Sequence, residues 1–193
     1  MTDEEVLAEF RSADALLQGH FILSSGKHSA NYLQCARVLM NPDRAARLAV
    51  ALAQRLPRDL RSSIDMVVSP AMGGLIIGHE MGRALNVDAI FLERPHGHFE
   101  LRRGFAIEPG ARVLMVEDVV TTGLSSRQAI EAVRAAGAEV VAEAALVDRS
   151  AGEADLDVPF YPLVSLNFPV FDADNLPPEL AAIPPEKPGS RKS

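Results

Sequence analysis

Residues Arg112–Ser126 read RVLMVEDVVTTGLSS, and the fold of the chain follows from how this stretch is read. Val113 to Val116 form an unbroken apolar run, the pattern of a strand covered on both faces in a parallel sheet. Two acids, Glu117 and Asp118, follow at once; Val119 and Val120 then lead into Thr121, Thr122 and Gly123. Ser125 opens an amphipathic helix with Ile130 and Val133 on one face. The chain therefore passes from strand through loop to helix, and such a loop lies at the carboxyl edge of an open α/β sheet, where ligands bind. Backbone N–H groups of small residues converge there, the helix start adds partial positive charge, and a phosphate fits. The acids would repel that phosphate unless they faced something else. Ribose hydroxyls and a magnesium ion both suit carboxylate oxygens. The competing reading is an ordinary strand-to-helix turn with exposed acids. Neither GxxxxGK[ST] nor GxGxxG occurs, which sets aside the P-loop and the dinucleotide fingerprint.

Working outward, Val140–Val147 gives the next strand after Gly137 caps the helix, and it ends in Asp148-Arg149. An arginine at a strand exit either grips a ligand carboxylate bidentately or pairs with a nearby acid such as Asp148. Upstream, Met66–Val68 is a second buried strand, followed by SPAMGG and a helix from about Leu75 to Leu85. Gly73 and Gly74 either let backbone approach an anion or serve helix-to-sheet packing. Ala89–Glu93 is a further strand, and RPHGHFELRRGF after it is a polar loop concentrating Arg94, Arg102 and Arg103. His96 and His98 alone lack a third metal ligand.

At the N-terminus, Val6, Phe10, Ala13 and Leu17 recur at helical spacing, predicting a packing helix over Asp3–Leu17 that Gly19 ends. Two short strands about the turn Ser24-Ser25-Gly26 follow, and Asn41-Pro42 then caps a helix running through Leu56. Pro57–Ser63 reads as a loop and Phe160–Leu166 as the last strand. The end, NLPPELAAIPPEKPGSRKS, reads as irregular.

A chain of 193 residues with 48% hydrophobic content can bury one good core, so a single domain is expected. A net charge of −7 argues against a general nucleic-acid or anionic-membrane surface, so basic groups that hold anions must be gathered locally. The lone cysteine, Cys35, excludes an internal disulfide and a thiolate cluster. MTDEEVLAEF is unlike a secretory signal and no apolar run reaches membrane-spanning length, so a cytoplasmic protein is expected.

VLMVEDVVTTGLSS resembles the phosphoribosyl diphosphate (PRPP) binding motif of type I phosphoribosyltransferases. GHFILSSGKHSANYLQCARVL is similar to the N-terminal hood of the orotate phosphoribosyltransferases, in which an L-x-S-G turn lies over the base. Ser25, Gly26 and Ser29 match; the position where many members carry a lysine is Ser24, and Lys27 is either a nearby charge or a solvated turn residue. Tyr32 and Leu33 fall where members place aromatic residues against the base. SPAMGG resembles the pyrophosphate loop, with Met72 and Gly73 in place of larger polar side chains. The catalytic loop matches in part: Arg94 corresponds to the lysine of the usual Arg-Lys pair, and Arg102 and Arg103 stand as functional substitutes. LVDR resembles the base-recognition segment, with Arg149 in the orotate-contacting place, and KPGSR resembles the tail of a bacterial and archaeal branch.

The resemblance implies the type I phosphoribosyltransferase fold: α/β, with a mostly parallel central sheet flanked by helices and a small hood. Within residues 1–193 it implies hood and N-terminal helix over about 1–40, a PRPP-binding core over about 60–150 and the irregular tail over about 175–193. It implies PRPP on Met72, Gly73, Arg94, Glu117, Asp118, Val119, Val120, Thr121, Thr122, Gly123, Leu124 and Ser125. Orotate falls to Ser25, Gly26, Tyr32, Leu33, Thr121 and Arg149, and catalysis to Arg94, Arg102, Arg103 and Asp118. Mg2+ is the implied cofactor, with no residue set aside as a dedicated metal ligand. The implied partners are PRPP, orotate and a second copy of the chain sharing the catalytic loop, with neither nucleic acid nor membrane. The alternatives are a phosphoribosyltransferase for a purine base and a non-catalytic PRPP-binding regulator.

Overall fold

The computed structural model describes residues 1–23 and 25–188. Ser24, the substituted hood-lysine position, and most of KPGSR lie outside the described residues.

Helix α1 spans Asp3–Ser12. Its start is fixed by a reciprocal cap, in which the Glu5 N–H donates to the Thr2 hydroxyl and the Thr2 N–H to the Glu5 carboxylate. The helix is shorter than its sequence pattern predicts. Asp14 turns the chain at φ 49°, and Leu16 and Leu17 instead open strand β1, Leu16–Ile22. That strand pairs antiparallel with β2, His28–Leu33, in the register Leu16 with Leu33 and Leu17 with Tyr32. Leu17 suited a helix locally, but the partner strand satisfies the backbone of the whole segment, and Gly19 sits inside β1 rather than capping a helix.

Helix α2, Cys35–Leu39, was not foreseen; it precedes α3, Pro42–Arg55, whose first turn is capped by the Asn41 side chain accepting from the Arg44 N–H at 2.9 Å. The expected loop after it contains a short helix, α4, Arg58–Ser62. The remaining elements are β3 Met66–Pro70, α5 Gly74–Leu85, β4 Asp88–Glu93, β5 Glu100–Leu101, β6 Arg112–Val120, α6 Leu124–Ala135, β7 Glu139–Asp148, β8 Phe160–Ser165, β9 Val170–Phe171 and α7 Pro178–Ala181. The arginine-rich loop is thus partly ordered as a hairpin, with β5 antiparallel to β4.

Strands β5-β4-β3-β6-β7-β8 form a six-stranded sheet, parallel throughout except at β5. Alternation along β6 sends Leu114 and Val116 into a core with α1, α2, α3 and α5, and Val113 and Met115 into a second core with α6. Both faces of the central strand are therefore dry, which is why its sequence shows no polar alternation. Each fully buried Leu or Met contributes on the order of 2 kcal/mol.

A smaller sheet, β1-β2-β9, stands apart as the hood. The terminal segment is more ordered than its composition suggests. Leu180 of α7 is buried, and the Glu186 N–H donates to His20 O at 2.7 Å while its carbonyl accepts from Ile22 N–H at 2.8 Å. His20 Nδ1 lies 2.8 Å from Ile183 O and its Nε2 lies 2.6 Å from His28 Nδ1, so two buried histidines tie this segment to the hood. Proline suppresses helix and sheet periodicity, but it does not prevent docking onto a preformed edge.

Candidate active site

Strand β3 connects through α5 to β4 on one side of the sheet, whereas β6 continues through α6 to β7 and β8 on the other. The carboxyl ends of β3 and β6 therefore flank the point where the winding reverses, the crevice in which open α/β sheets bind ligands. The two loops meet closely there. A Cβ on Gly73 would lie 2.7 Å from the Asp118 carboxylate, so only glycine lets the SPAMGG loop approach the acid pair. Within that loop the Ala71–Met72 peptide is cis, and the Met72 side chain is exposed.

The acids are not on an open turn. β6 extends to Val120, so Glu117 and Asp118 are strand residues at its carboxyl end, with Glu117 only 7% exposed. Burial pushes the Glu117 carboxyl well above its usual range, and the neighbouring Asp118 and Glu143 add to the effect. Burial also raises Asp118, offset in part by the Val119 N–H donating to its Oδ1 at 2.9 Å. Carboxylates held this way gain from hydroxyl donors or a cation.

Gly123, at φ 73°, caps α6, and a side chain there would meet Leu156 at 2.6 Å. Around this turn lies a cavity of about 240 Å³, lined by Arg94, Gln128 and every residue from Val119 to Ser126. A larger cavity of about 790 Å³ shares Val119, Thr121 and Thr122 and extends beneath the hood to Ser25, Lys27, Tyr32, Leu33 and Arg149. A small recess at the helix start thus adjoins a roomier chamber. Arg149 Nε is buried without a partner, and no ion pair to Arg149 is found among the described residues. Asp148, its possible partner, instead accepts from the Ser150 N–H and hydroxyl at 2.7 and 2.6 Å. Burial holds the Arg149 pKa below the usual arginine value.

This arrangement coincides with known proteins. The model of the phosphoribosyl transferase domain family matches residues 37–175. An orotate phosphoribosyltransferase from Erythrobacter litoralis is 75% identical over 191 residues, covering 99% of each chain. One from Sphingopyxis alaskensis is 75% identical over 192 residues, covering 99% of this chain and 98% of its own. The chain belongs to the orotate phosphoribosyltransferase family. A crystal structure of orotate phosphoribosyltransferase from Aeropyrum pernix superposes with a TM-score of 0.68 at 26% identity, covering 83% of this chain and 93% of that one. The fold is that of the type I phosphoribosyltransferases, as the sequence led one to expect.

The orotate phosphoribosyltransferase loop arginines divide in two. Arg94 faces the small cavity, donating to Gln128 Oε1 at 2.7 Å with its guanidinium 4.0 Å from the Phe99 ring centre. Arg102 and Arg103 instead fold back onto Glu93, at 3.5 and 2.7 Å, and line neither cavity. Gly26, at φ 82°, shapes the hood turn, its N–H donating to Leu23 O at 2.9 Å. His98 pairs with Glu100 at 2.6 Å. Among the described residues no group of three or more His, Cys, Asp or Glu side chains is placed to hold a metal.

Several site residues escaped the sequence reading. Gln128 sits one turn beyond Leu124 on α6, and helical spacing from the turn was the available signal. Val170 and Ser150 line the larger cavity from segments that carry no motif. Behind the turn, Glu143 of β7 is fully buried; its Oε1 accepts from the Ser126 hydroxyl at 2.6 Å and its Oε2 has no partner. Burial raises Glu143 to about 7. A lone acid in an apolar strand, VVAEAALV, was the signal that went unread.

Proposed function

We propose that the chain transfers the 5-phosphoribosyl group of PRPP to orotate, giving orotidine 5′-monophosphate and diphosphate in pyrimidine synthesis. The bond from the anomeric carbon to diphosphate oxygen breaks, a bond to the ring nitrogen of orotate forms, and that nitrogen loses its proton. The carrying observation is Arg149, an unpaired, partly buried cation in the wall of the larger cavity, which suits the carboxylate of orotate. A purine carries no carboxylate for such a group, and the relatives named above are orotate enzymes over the full length of the chain.

In this reading Thr121 to Ser125 hold the 5′-phosphate through backbone N–H groups and the α6 start, and Val119 and Val120 wall the recess. Glu117 and Asp118 accept from the ribose hydroxyls and fix the sugar for in-line displacement. Ser25, Tyr32, Leu33 and Thr121 enclose the base, with Gly26 shaping the turn above it. Met72 and Gly73 present backbone to the diphosphate; Arg94, which in this structure lines the recess of the 5′-phosphate turn, is assigned to the departing diphosphate by the resemblance of its loop.

Magnesium fits this donor set. Two adjacent carboxylates without a third protein ligand match a hard cation that keeps most of its shell as substrate and water oxygens. Glu117 and Asp118 are the groups that would lie against it, and when bound it neutralises charge on the departing diphosphate.

The chain acts as a homodimer in this proposal. In it the loop of Arg102 and Arg103, which fold back onto Glu93 in the single chain, serves the neighbouring copy, and Met72, Ile76 and Leu124 are exposed apolar side chains that a second copy could cover. No helix among the described residues is long and apolar enough to cross a membrane; the cytoplasmic assignment is part of the proposal. Parallel turnover assays with PRPP and orotate, hypoxanthine or uracil test the proposal. Consumption of orotate alone is expected; PRPP binding without orotate consumption supports a regulator, and hypoxanthine turnover a purine enzyme.

A further inference from the structure

We infer that Phe168 is a positioning residue for Arg149, holding the guanidinium plane so that the site selects a base bearing a carboxylate. The inference deepens the functional reading above and rests on it. The chain leaves β8 of the large sheet at Ser165 and enters β9 of the hood at Val170, so Phe168 lies on the short bridge between the two sheets. Three contacts pin that bridge. The Leu166 N–H donates to Asp148 O at 2.8 Å, the Ser29 hydroxyl donates to Pro169 O at 3.1 Å, and Val170 pairs with Ser29.

Between these anchors the Phe168 ring sits 5.1 Å from the guanidinium carbon of Arg149, inside the range of about 6 Å over which a ring face attracts a cation. Among the described residues no carboxylate pairs with that guanidinium and its Nε is buried without a partner, so the ring is the charged head's cation–π contact in place of an ion pair. A contact made through the ring face takes up none of the guanidinium N–H donors, and a carboxylate is bound bidentately through such donors. Val170, two residues on, lines the same cavity, so the bridge forms a wall of the base chamber that belongs to neither the PRPP turn nor LVDR.

The test uses the full chain with Phe168→Leu, Phe168→Met and Phe168→Tyr, measuring KM for orotate and for PRPP, kcat and thermal midpoint. The Leu and Met variants remove the ring face while keeping apolar bulk; each is expected to raise the orotate KM roughly three- to tenfold and leave the PRPP KM unchanged, with Tyr restoring the original value. Should one aliphatic variant fail to fold, the other carries the same comparison, and Tyr tests the ring directly. The inference is overturned if both KM values move together, if aliphatic variants match the unmodified enzyme, or if Tyr fails to restore orotate binding. Those results leave the functional reading intact, because the unmodified enzyme still consumes orotate. An unmodified enzyme that leaves orotate unconsumed removes the reading and this inference with it.

Discussion

Replacing Glu143 by Gln tests whether the carboxyl beneath the Thr121–Ser125 turn is buried as a neutral acid. Glu143 is fully buried, accepts at one oxygen only, from the Ser126 hydroxyl, and has its pKa raised from 4.5 to about 7 by burial. Between those two values the folded chain keeps a proton that the unfolded chain has lost. Stability from this group is therefore fully present below pH 4.5 and is lost as pH rises to about 7, after which the slope ends. The loss is about 1.4 kcal/mol per pH unit within that window, and about 2–3 kcal/mol between pH 5 and pH 8. Gln is nearly isosteric, keeps an oxygen for the Ser126 hydroxyl and cannot ionise. Its unpaired amide N–H group costs about 1–3 kcal/mol, but equally at every pH. Urea denaturation of both proteins at fixed chain concentration from pH 5 to pH 8 reads the difference. Relative to the native protein, the variant should gain about 2–3 kcal/mol across that range, a large share of the roughly 5–15 kcal/mol that holds a domain folded. The raised Asp118 carboxyl shapes both curves alike and drops out of the comparison to first order, whereas Glu117, raised in part by Glu143, is relieved of that repulsion in the variant and shifts the difference in the same direction. Parallel curves would refute the assignment of a neutral Glu143.

Asp118→Asn keeps shape and removes charge from the ribose clamp; turnover should fall about a hundredfold with the thermal midpoint retained, and an undiminished kcat would end the clamp role. Arg149→Ala should raise the orotate KM roughly tenfold to a hundredfold and spare the PRPP KM, since a hydrogen bond to a charged group is worth about 1.5–3 kcal/mol. Equal changes in both constants would remove Arg149 from the base side. Gly73→Ala places a Cβ 2.7 Å from Asp118 Oδ1, so one loop must shift; steady-state kinetics should show a lower kcat in a folded protein, and wild-type kinetics would show that the approach of the two loops is idle.

How much was legible from the chain differs from element to element. Val113–Val116 read as a two-sided buried strand because both faces are in fact covered, and Asn41-Pro42 read as a helix start because a cap is a contact within one turn. The acid pair, the Thr-Thr-Gly turn and Arg149 were likewise visible, since each is a local run of residue types that few local structures accommodate. What misled was local ambiguity. Leu17 satisfies a helical spacing, yet β2 offers it a strand partner, and the terminal segment hides its docking behind prolines.

The amino-acid order alone determined the alternation of the core strands and helices from β3 to β7, the position of the strand-to-helix turn after β6 and which residues stand as candidates around it, because these depend on contacts within a few residues. Only the folded chain decided that Gly73 closes on Asp118, that Arg102 and Arg103 turn to Glu93 while Arg94 faces the recess, and that the Phe168 ring lies against the Arg149 guanidinium. Such pairings join residues from different strands and loops. Their geometry is fixed by sheet order and by the dry cores on either face, which no local pattern encodes.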